Sequence, residues 1–127
     1  MKKLYLLDDA IISPLGFSTE ENIRAIRKGK SGLQLQQKPE ITENSFYAGI
    51  IDEFPLNDAF KAIGNPKKYT KLEKMMLLAV QQVLNKNPNL NLAETALVIT
   101  TTKGNINLLK DPGNFPETRL KLSELGK

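Results

Sequence analysis

The chain has 127 residues, a formal charge of +4, no cysteine and no histidine. Without cysteine there are no disulfides, zinc fingers, iron–sulfur ligands or thiol nucleophiles. Without histidine the commonest general base and the commonest metal ligand are missing, so any chemistry here would need Ser, Thr, Lys, Asp, Glu or Tyr.

Apolar residues make up 40% and charged residues 25%, the balance of an ordinary globular domain. Residues 4–12 predict a first strand. Leu4-Tyr5-Leu6-Leu7 is a continuous apolar run suited to burial on both faces, and Asp8-Asp9 break it. Those two aspartates come too early for a signal peptide, and no stretch reaches the ~20 apolar residues of a membrane span. The expectation is a cytoplasmic protein with no membrane contact. On a strand, Asp8 and Asp9 face opposite ways, so they cannot share one cation or one proton unless the strand bulges. A bulge or an exposed strand edge is the plainer account.

Ser13-Pro14-Leu15-Gly16 forms a stop. Ser18-Thr19-Glu20-Glu21 then reads as a capping box that opens a helix with Ile23 and Ile26 on one face, closed by Gly29. Residues 33–44 are polar and suggest no regular structure. Ser45–Ile51 predicts a second strand in which Gly49 marks a bulge or a close backbone approach. A turn over Asp52–Pro55 leads to a short helical piece near Asn57–Ile63.

The strongest local signal follows. Thr70-Lys71-Leu72-Glu73 is a second capping box, and apolar residues at helical spacing run from Leu72 to Leu84. Leu77 and Leu78 widen the stripe until little polar face remains. Such a helix expects packing against more than one neighbour. Thr95–Thr101 predicts a third strand, Ile106–Lys110 a helix, and residues 111–127 mostly loop. Strand, helix, strand, helix, strand favours an α/β layered, mixed sheet with packed helices.

The densest positive region is Lys61, Lys67, Lys68, Lys71 and Lys74. It is either a solvated face or a docking surface for something acidic. Stacking aromatics are not interleaved with it, which argues against nucleic acid. Thr102-Lys103-Gly104 follows a strand, but no GxGxxG or Walker pattern accompanies it, so a plain turn is the simpler account. No metal-ligand or cofactor motif occurs.

Two motifs point further. The segment from Ile11 to Leu33, with Ser13-Pro14-Leu15-Gly16 and Gly29-Lys30-Ser31-Gly32 at its ends, resembles the opening of the β-ketoacyl-(acyl carrier protein) synthases. The apolar helix Leu72–Leu84 and the strand ending in a Thr-x-x-Gly-like turn match the family's order, so the resemblance covers nearly the whole chain. It implies the N-terminal part of a thiolase-like fold, found in homodimeric acyltransferases of fatty acid or polyketide-type synthesis. They condense a cysteine-bound acyl group with malonyl-acyl carrier protein and lose carbon dioxide. Their cysteine and histidines lie beyond the part this chain resembles. The resemblance therefore implies no catalytic residue here, no cofactor, and no activity from residues 1–127 alone. It places only Thr102, Lys103 and Gly104 beside an acyl pocket, and it makes Lys67, Lys68 and Lys71 candidates for docking the acidic carrier protein. Two departures stand out: Asp8-Asp9 replace the usual Thr-Gly pair, and Lys103 stands where an apolar pocket residue is common. The alternative is a non-catalytic, synthase-like protein that binds a carrier protein or a partner synthase. An unrelated α/β module is the third option.

Overall fold

The computed structural model describes residues 7–110 and 113–121. They form a mixed α/β arrangement of three α-helices and one two-stranded antiparallel sheet.

The chain first turns at Ser13-Pro14-Leu15-Gly16. Ser13 N–H donates to Gly16 O at 2.9 Å and Gly16 N–H returns to Ser13 O at 3.2 Å. Proline pre-sets the turn's second position. Helix α1 (Thr19–Arg27) starts at Ser18, whose hydroxyl accepts from Glu21 N–H at 3.1 Å. Only half of the expected capping box forms. The Glu21 carboxylate accepts from Phe17 N–H at 2.6 Å instead of from Ser18. The helix ends in a Schellman motif. Gly29 N–H donates to Ile26 O, Lys30 N–H to Ala25 O, and Gly29 takes φ +69°.

The face that α1 buries is not the one its isoleucines predict. Ile23 and Ile26 are exposed, whereas Thr19, Asn22 and Ala25 are buried. Asn22 explains the inversion. Its amide donates to Ile11 O, Gly16 O and Ser18 O at 3.1, 3.0 and 2.8 Å, and its oxygen accepts from the Ser13 hydroxyl. Buried polar groups require such partners, and this set fixes which side of α1 meets the turn.

Strand β1 (Gln34–Gln36) pairs antiparallel with β2 (Phe46–Ala48), Leu35 opposite Tyr47. The second strand is thus found, shortened to three residues. Its partner lies in the segment expected to lack regular structure. Gln-Leu-Gln is too short a polar–apolar alternation to register alone. Gly49 makes the close approach its sequence suggests: a Cβ there would lie 3.2 Å from Pro14 Cγ and 3.3 Å from Gly32 O.

Helix α2 (Glu53–Phe60) begins four residues before the predicted piece. Pro55 sits in its first turn, where a missing N–H costs nothing. Helix α3 (Lys71–Lys86) carries the full capping box. Glu73 N–H donates to the Thr70 hydroxyl at 3.2 Å, and Thr70 N–H donates to the Glu73 carboxylate at 2.9 Å. Helices α2 and α3 enclose the core of Leu56, Phe60 and Leu78, against which Phe17, Ile51, Ile63, Tyr69 and Met75 pack. The Phe60 and Tyr69 rings lie 5.0 Å apart, tilted 58°.

The expected three-stranded sheet does not form among the described residues. Residues 7–12 and 95–101 carry no strand pairing, and residues 4–6 of the first predicted strand lie outside the described ones. Strands apolar on both faces need helices on both sides. Here α3, with Tyr69 and Arg119 beside it, faces the 97–101 segment across an apolar depression. The same shortage leaves α3 half-covered: Leu78 is buried, but Leu77 is exposed and the other apolar residues of the helix are intermediate. The predicted helix at 106–110 is a 3-10 turn, Ile106–Leu109, and another turn occupies Glu117–Leu120.

Candidate functional site

Two depressions flank the first turns of α3. The polar one, about 390 Å³, lies between α2, the N-terminus of α3 and the Gly104–Leu108 segment. Lys67 reaches it from a 3-10 turn, Pro66–Lys68, that Asn65 caps by accepting from Lys67 N–H at 3.0 Å. Lys71 and Lys74 reach it from α3, one turn apart. Gly104 and Asn105 close it.

A buried polar network builds the wall between the two depressions. The Thr70 hydroxyl donates to Asn105 Oδ1 at 2.7 Å. Asn105 Nδ2 donates to Glu73 Oε1 at 3.2 Å and to Arg119 O at 2.9 Å. Arg119 Nη1 pairs with Glu73 Oε2 at 2.7 Å. Thr70, Glu73 and Asn105 are all buried. One carboxylate therefore caps α3, holds Arg119 and orients Asn105. Charge-assisted bonds of this kind are the stronger ones, and together they fix the chain after Thr101 onto α3.

The sequence-predicted residues divide. Gly104, Lys67 and Lys71 come together on the polar cleft. Thr102 and Lys103 do not line it. Both are exposed, and Lys103 leaves its ammonium in solvent rather than against an apolar pocket. Gly104 takes φ +56°, and its N–H donates to the Thr101 hydroxyl at 2.9 Å, which shapes the turn. Lys68 is exposed beside the cleft without lining it.

The lysine region is smaller than its sequence count. Lys74 is only 5% exposed, and donates to Glu53 at 2.9 Å and to Asn57 at 2.6 Å. Lys61 pairs with Asp58 at 2.9 Å. Lys71 donates to Ile51 O. Lys67 and Lys68 remain as the cationic edge without an ion pair among the described residues. Their chemistry is attraction of an anionic group.

Glu73, Asn105 and Arg119 escaped sequence reading as a site. Glu73 was visible only as the last member of a capping box, and no local signal links it to Asn105.

The second depression is apolar, about 580 Å³, between Leu72, Met76 and Val80 of α3 and the chain from Leu97 to Thr101. It is the uncovered side of α3.

Asp8 has a separate role. It faces Lys86 and Asn87 at 3.1 and 3.2 Å, and Asp9 is exposed. The Asp9 backbone N–H, together with Lys86, holds the Asp8 carboxyl below its ordinary pKa. Glu20 is lowered by its own backbone N–H and by the Lys86 charge 3.6 Å away, and Lys86 is raised chiefly by its bond to Asp8. The two aspartates therefore do not converge on one site.

No helix among the described residues is long and apolar enough to cross a membrane. No protein-family model matches the chain, and no curated protein or solved structure matches it significantly.

Proposed function

We propose that residues 1–127 are the N-terminal portion of a β-ketoacyl-(acyl carrier protein) synthase of thiolase-like fold. The nucleophilic cysteine and the assisting histidines would be carried by the polypeptide beyond it. The observation that supports this reading most is the meeting of its two motifs. Pro14 and Leu15 of the first turn pack on Gly32 of the second, where a Cβ would lie 3.5 Å from Pro14 Cβ and 3.4 Å from Leu15 Cγ. Gly49 closes on both. The motifs that carry the resemblance thus act as one packed unit around α1. The half-covered α3 adds support, because its apolar side suits a larger body.

In this reading the chain supplies scaffold and one wall of a substrate region. Gly104 lets the backbone turn tightly beside α3, and the Glu73 network holds that turn in place. The reaction itself, loss of carbon dioxide from a malonyl thioester and formation of a carbon–carbon bond, requires groups this chain does not carry.

The test is an assay of malonyl-carrier protein decarboxylation. The 127-residue chain alone should release no carbon dioxide. The polypeptide translated from the same reading frame extended beyond Lys127 should release it and should condense an acyl primer. Inactivity of that extended polypeptide, with its cysteine intact, would contradict the proposal.

A second reading rests on Lys67 and Lys68 beside the polar cleft. There the chain binds an acidic carrier protein without chemistry. Binding should then weaken as salt rises, because exposed charges are screened beyond ~8–10 Å at physiological ionic strength. Titration at low salt with no detectable complex would exclude it.

A further inference from the structure

We propose that the outer face of α1 is a peripheral contact with an anionic lipid surface. Ile23 and Ile26 enter the boundary of the acyl layer, and Arg24, Arg27, Lys28 and Lys30 meet the headgroups.

Four observations carry this. First, α1 presents two isoleucines to solvent, one turn apart. Ile23 is 42% and Ile26 61% exposed, because the Asn22 bonds commit another side of the helix to the turn. Second, four cations fall between Arg24 and Lys30, all of them exposed. Among the described residues, none of their side chains has a hydrogen bond or an ion pair. The neighbouring carboxylates are occupied: Glu20 lies 3.6 Å from Lys86, and Glu21 accepts from Phe17 N–H at 2.6 Å. A helix dipole accounts for cations near a C-terminus, but not for isoleucines set among them. Third, the isoleucines project rather than line a groove. Neither borders the polar cleft, the apolar depression or the shallow hollow of about 380 Å³ beside α1. A peptide partner docks its anchors in a groove, whereas a lipid surface receives projecting side chains. Fourth, that hollow suits a headgroup phosphate. Arg24, Lys28 and Lys30 line it with Leu15 and Phe17, and the occupied Glu21 stands at its edge.

The larger body proposed above lies on a different side. It would cover the face of α3 that Leu72, Met76 and Val80 present. Helix α1 is tied to α3 elsewhere: Gln82 donates to Phe17 O at 2.7 Å, and Lys86 lies by Glu20. At 3.6 residues per turn, Gln82 and Lys86 project roughly 100° round α3 from that face. The expectation of no membrane contact rested on the missing membrane span. Peripheral binding needs no span, only cations for the headgroups and apolar area for the acyl boundary. A cluster of four Lys or Arg on an amphipathic helix supplies the first, and Ile23 with Ile26 the second.

This goes beyond the synthase proposal, and its readout involves neither condensation nor a carrier protein. The 127-residue chain is sedimented with phosphatidylcholine vesicles, with and without phosphatidylglycerol. It should pellet with the anionic vesicles only, and salt should release it. Arg24→Gln, Arg27→Gln and Lys28→Gln together should abolish pelleting. Lys61→Gln, Lys67→Gln and Lys68→Gln remove the same charge elsewhere and should leave it intact. Ile23→Gln with Ile26→Gln should weaken it about tenfold, through the lost apolar burial. A second measurement does not depend on these variants. The chain has no tryptophan, so Ile26→Trp supplies a single reporter. Its emission should shift to the blue on anionic vesicles, whereas that of Phe54→Trp, exposed on α2, should not. The proposal would be overturned by a native chain that does not pellet or that pellets equally with both vesicles. Equal losses from the two charge triplets or an unshifted Ile26→Trp emission would also overturn it. So would tight binding to polyglutamate, without lipid, that requires Ile23 and Ile26, since it would assign the face to an acidic protein.

Discussion

Asn105 donates its side-chain amide to the Glu73 carboxylate at 3.2 Å, across 32 residues of sequence. That bond joins the first turn of α3 to the turn at Gly104, and it sits within a network that also holds Thr70 and Arg119. Glu73→Gln keeps the shape and removes the charge. The Arg119 pair is lost and Asn105 faces a donor-bearing amide. The expected loss is about 2–3 kcal/mol in urea unfolding, the scale of a buried hydrogen bond to a charged group. Amide exchange at Gly104 should accelerate in the same variant. An unchanged midpoint would mean that the network does not hold the turn.

The two glycines around α1 should respond differently to alanine. Gly29 takes φ +69° with nothing within 4 Å of a Cβ, so its cost is conformational, about 1–2 kcal/mol. Gly16 has the opposite problem. A Cβ there would stand 2.4 Å from Glu21 Cβ and 2.8 Å from the carboxylate that receives Phe17 N–H. Relieving that clash displaces the helix start, at a cost of about 1–3 kcal/mol. Urea titrations with unchanged m-values would measure both. The Gly16→Ala variant should also lose helical signal from α1, which Gly29→Ala should retain.

The core is small enough to be tested by single truncations. Phe60 and Leu56 are fully buried, so Phe60→Ala should cost about 3–5 kcal/mol. Phe54 lies only six residues earlier, on the same helix, but is 82% exposed. Phe54→Ala should stay within about 0.5 kcal/mol. Equal effects would mean that α2 buries a different face.

The Asp8–Lys86–Glu20 cluster predicts a pH dependence. Asp8 and Glu20 have lowered pKa values when folded, so their stabilising contribution is present above the ordinary carboxylate range. It is lost as pH falls through the folded values, below about pH 4. Lys86 is raised, so its contribution is complete below the ordinary lysine value and is lost above about pH 10.5. The Tm difference between the native chain and Lys86→Met should be flat from about pH 6 to 9 and should shrink on both sides. A difference that persists at pH 3 would contradict the pairing of Asp8 with Lys86.

Much of the local structure was legible in the sequence because its signals are local. Thr70 and Glu73 announced the start of α3, and Gly29 announced the end of α1. Helix α2 was placed late because Pro55 reads as a breaker, although a first helical turn tolerates it. What the sequence could not display was the partner of each element. Ile23 and Ile26 look like a core face, but Asn22 turns the helix so that its amide serves three carbonyls. Lys74 looks like surface charge, but α2 presents Glu53 and Asn57 to it. The third strand shows a similar limit: its residues favour pairing, but pairing needs a neighbour, and Thr95–Thr101 has none within the described chain. For the candidate site, Gly104, Lys67 and Lys71 were legible from motif and charge. The Glu73–Asn105–Arg119 network was not, because its members are joined only by tertiary structure.

The nucleotide sequence immediately downstream of the Lys127 codon tests the synthase proposal most directly. The account predicts that the open frame continues, or is resumed by an adjacent frame, and encodes a cysteine followed by two histidines. A stop codon with no neighbouring frame carrying those residues would contradict it.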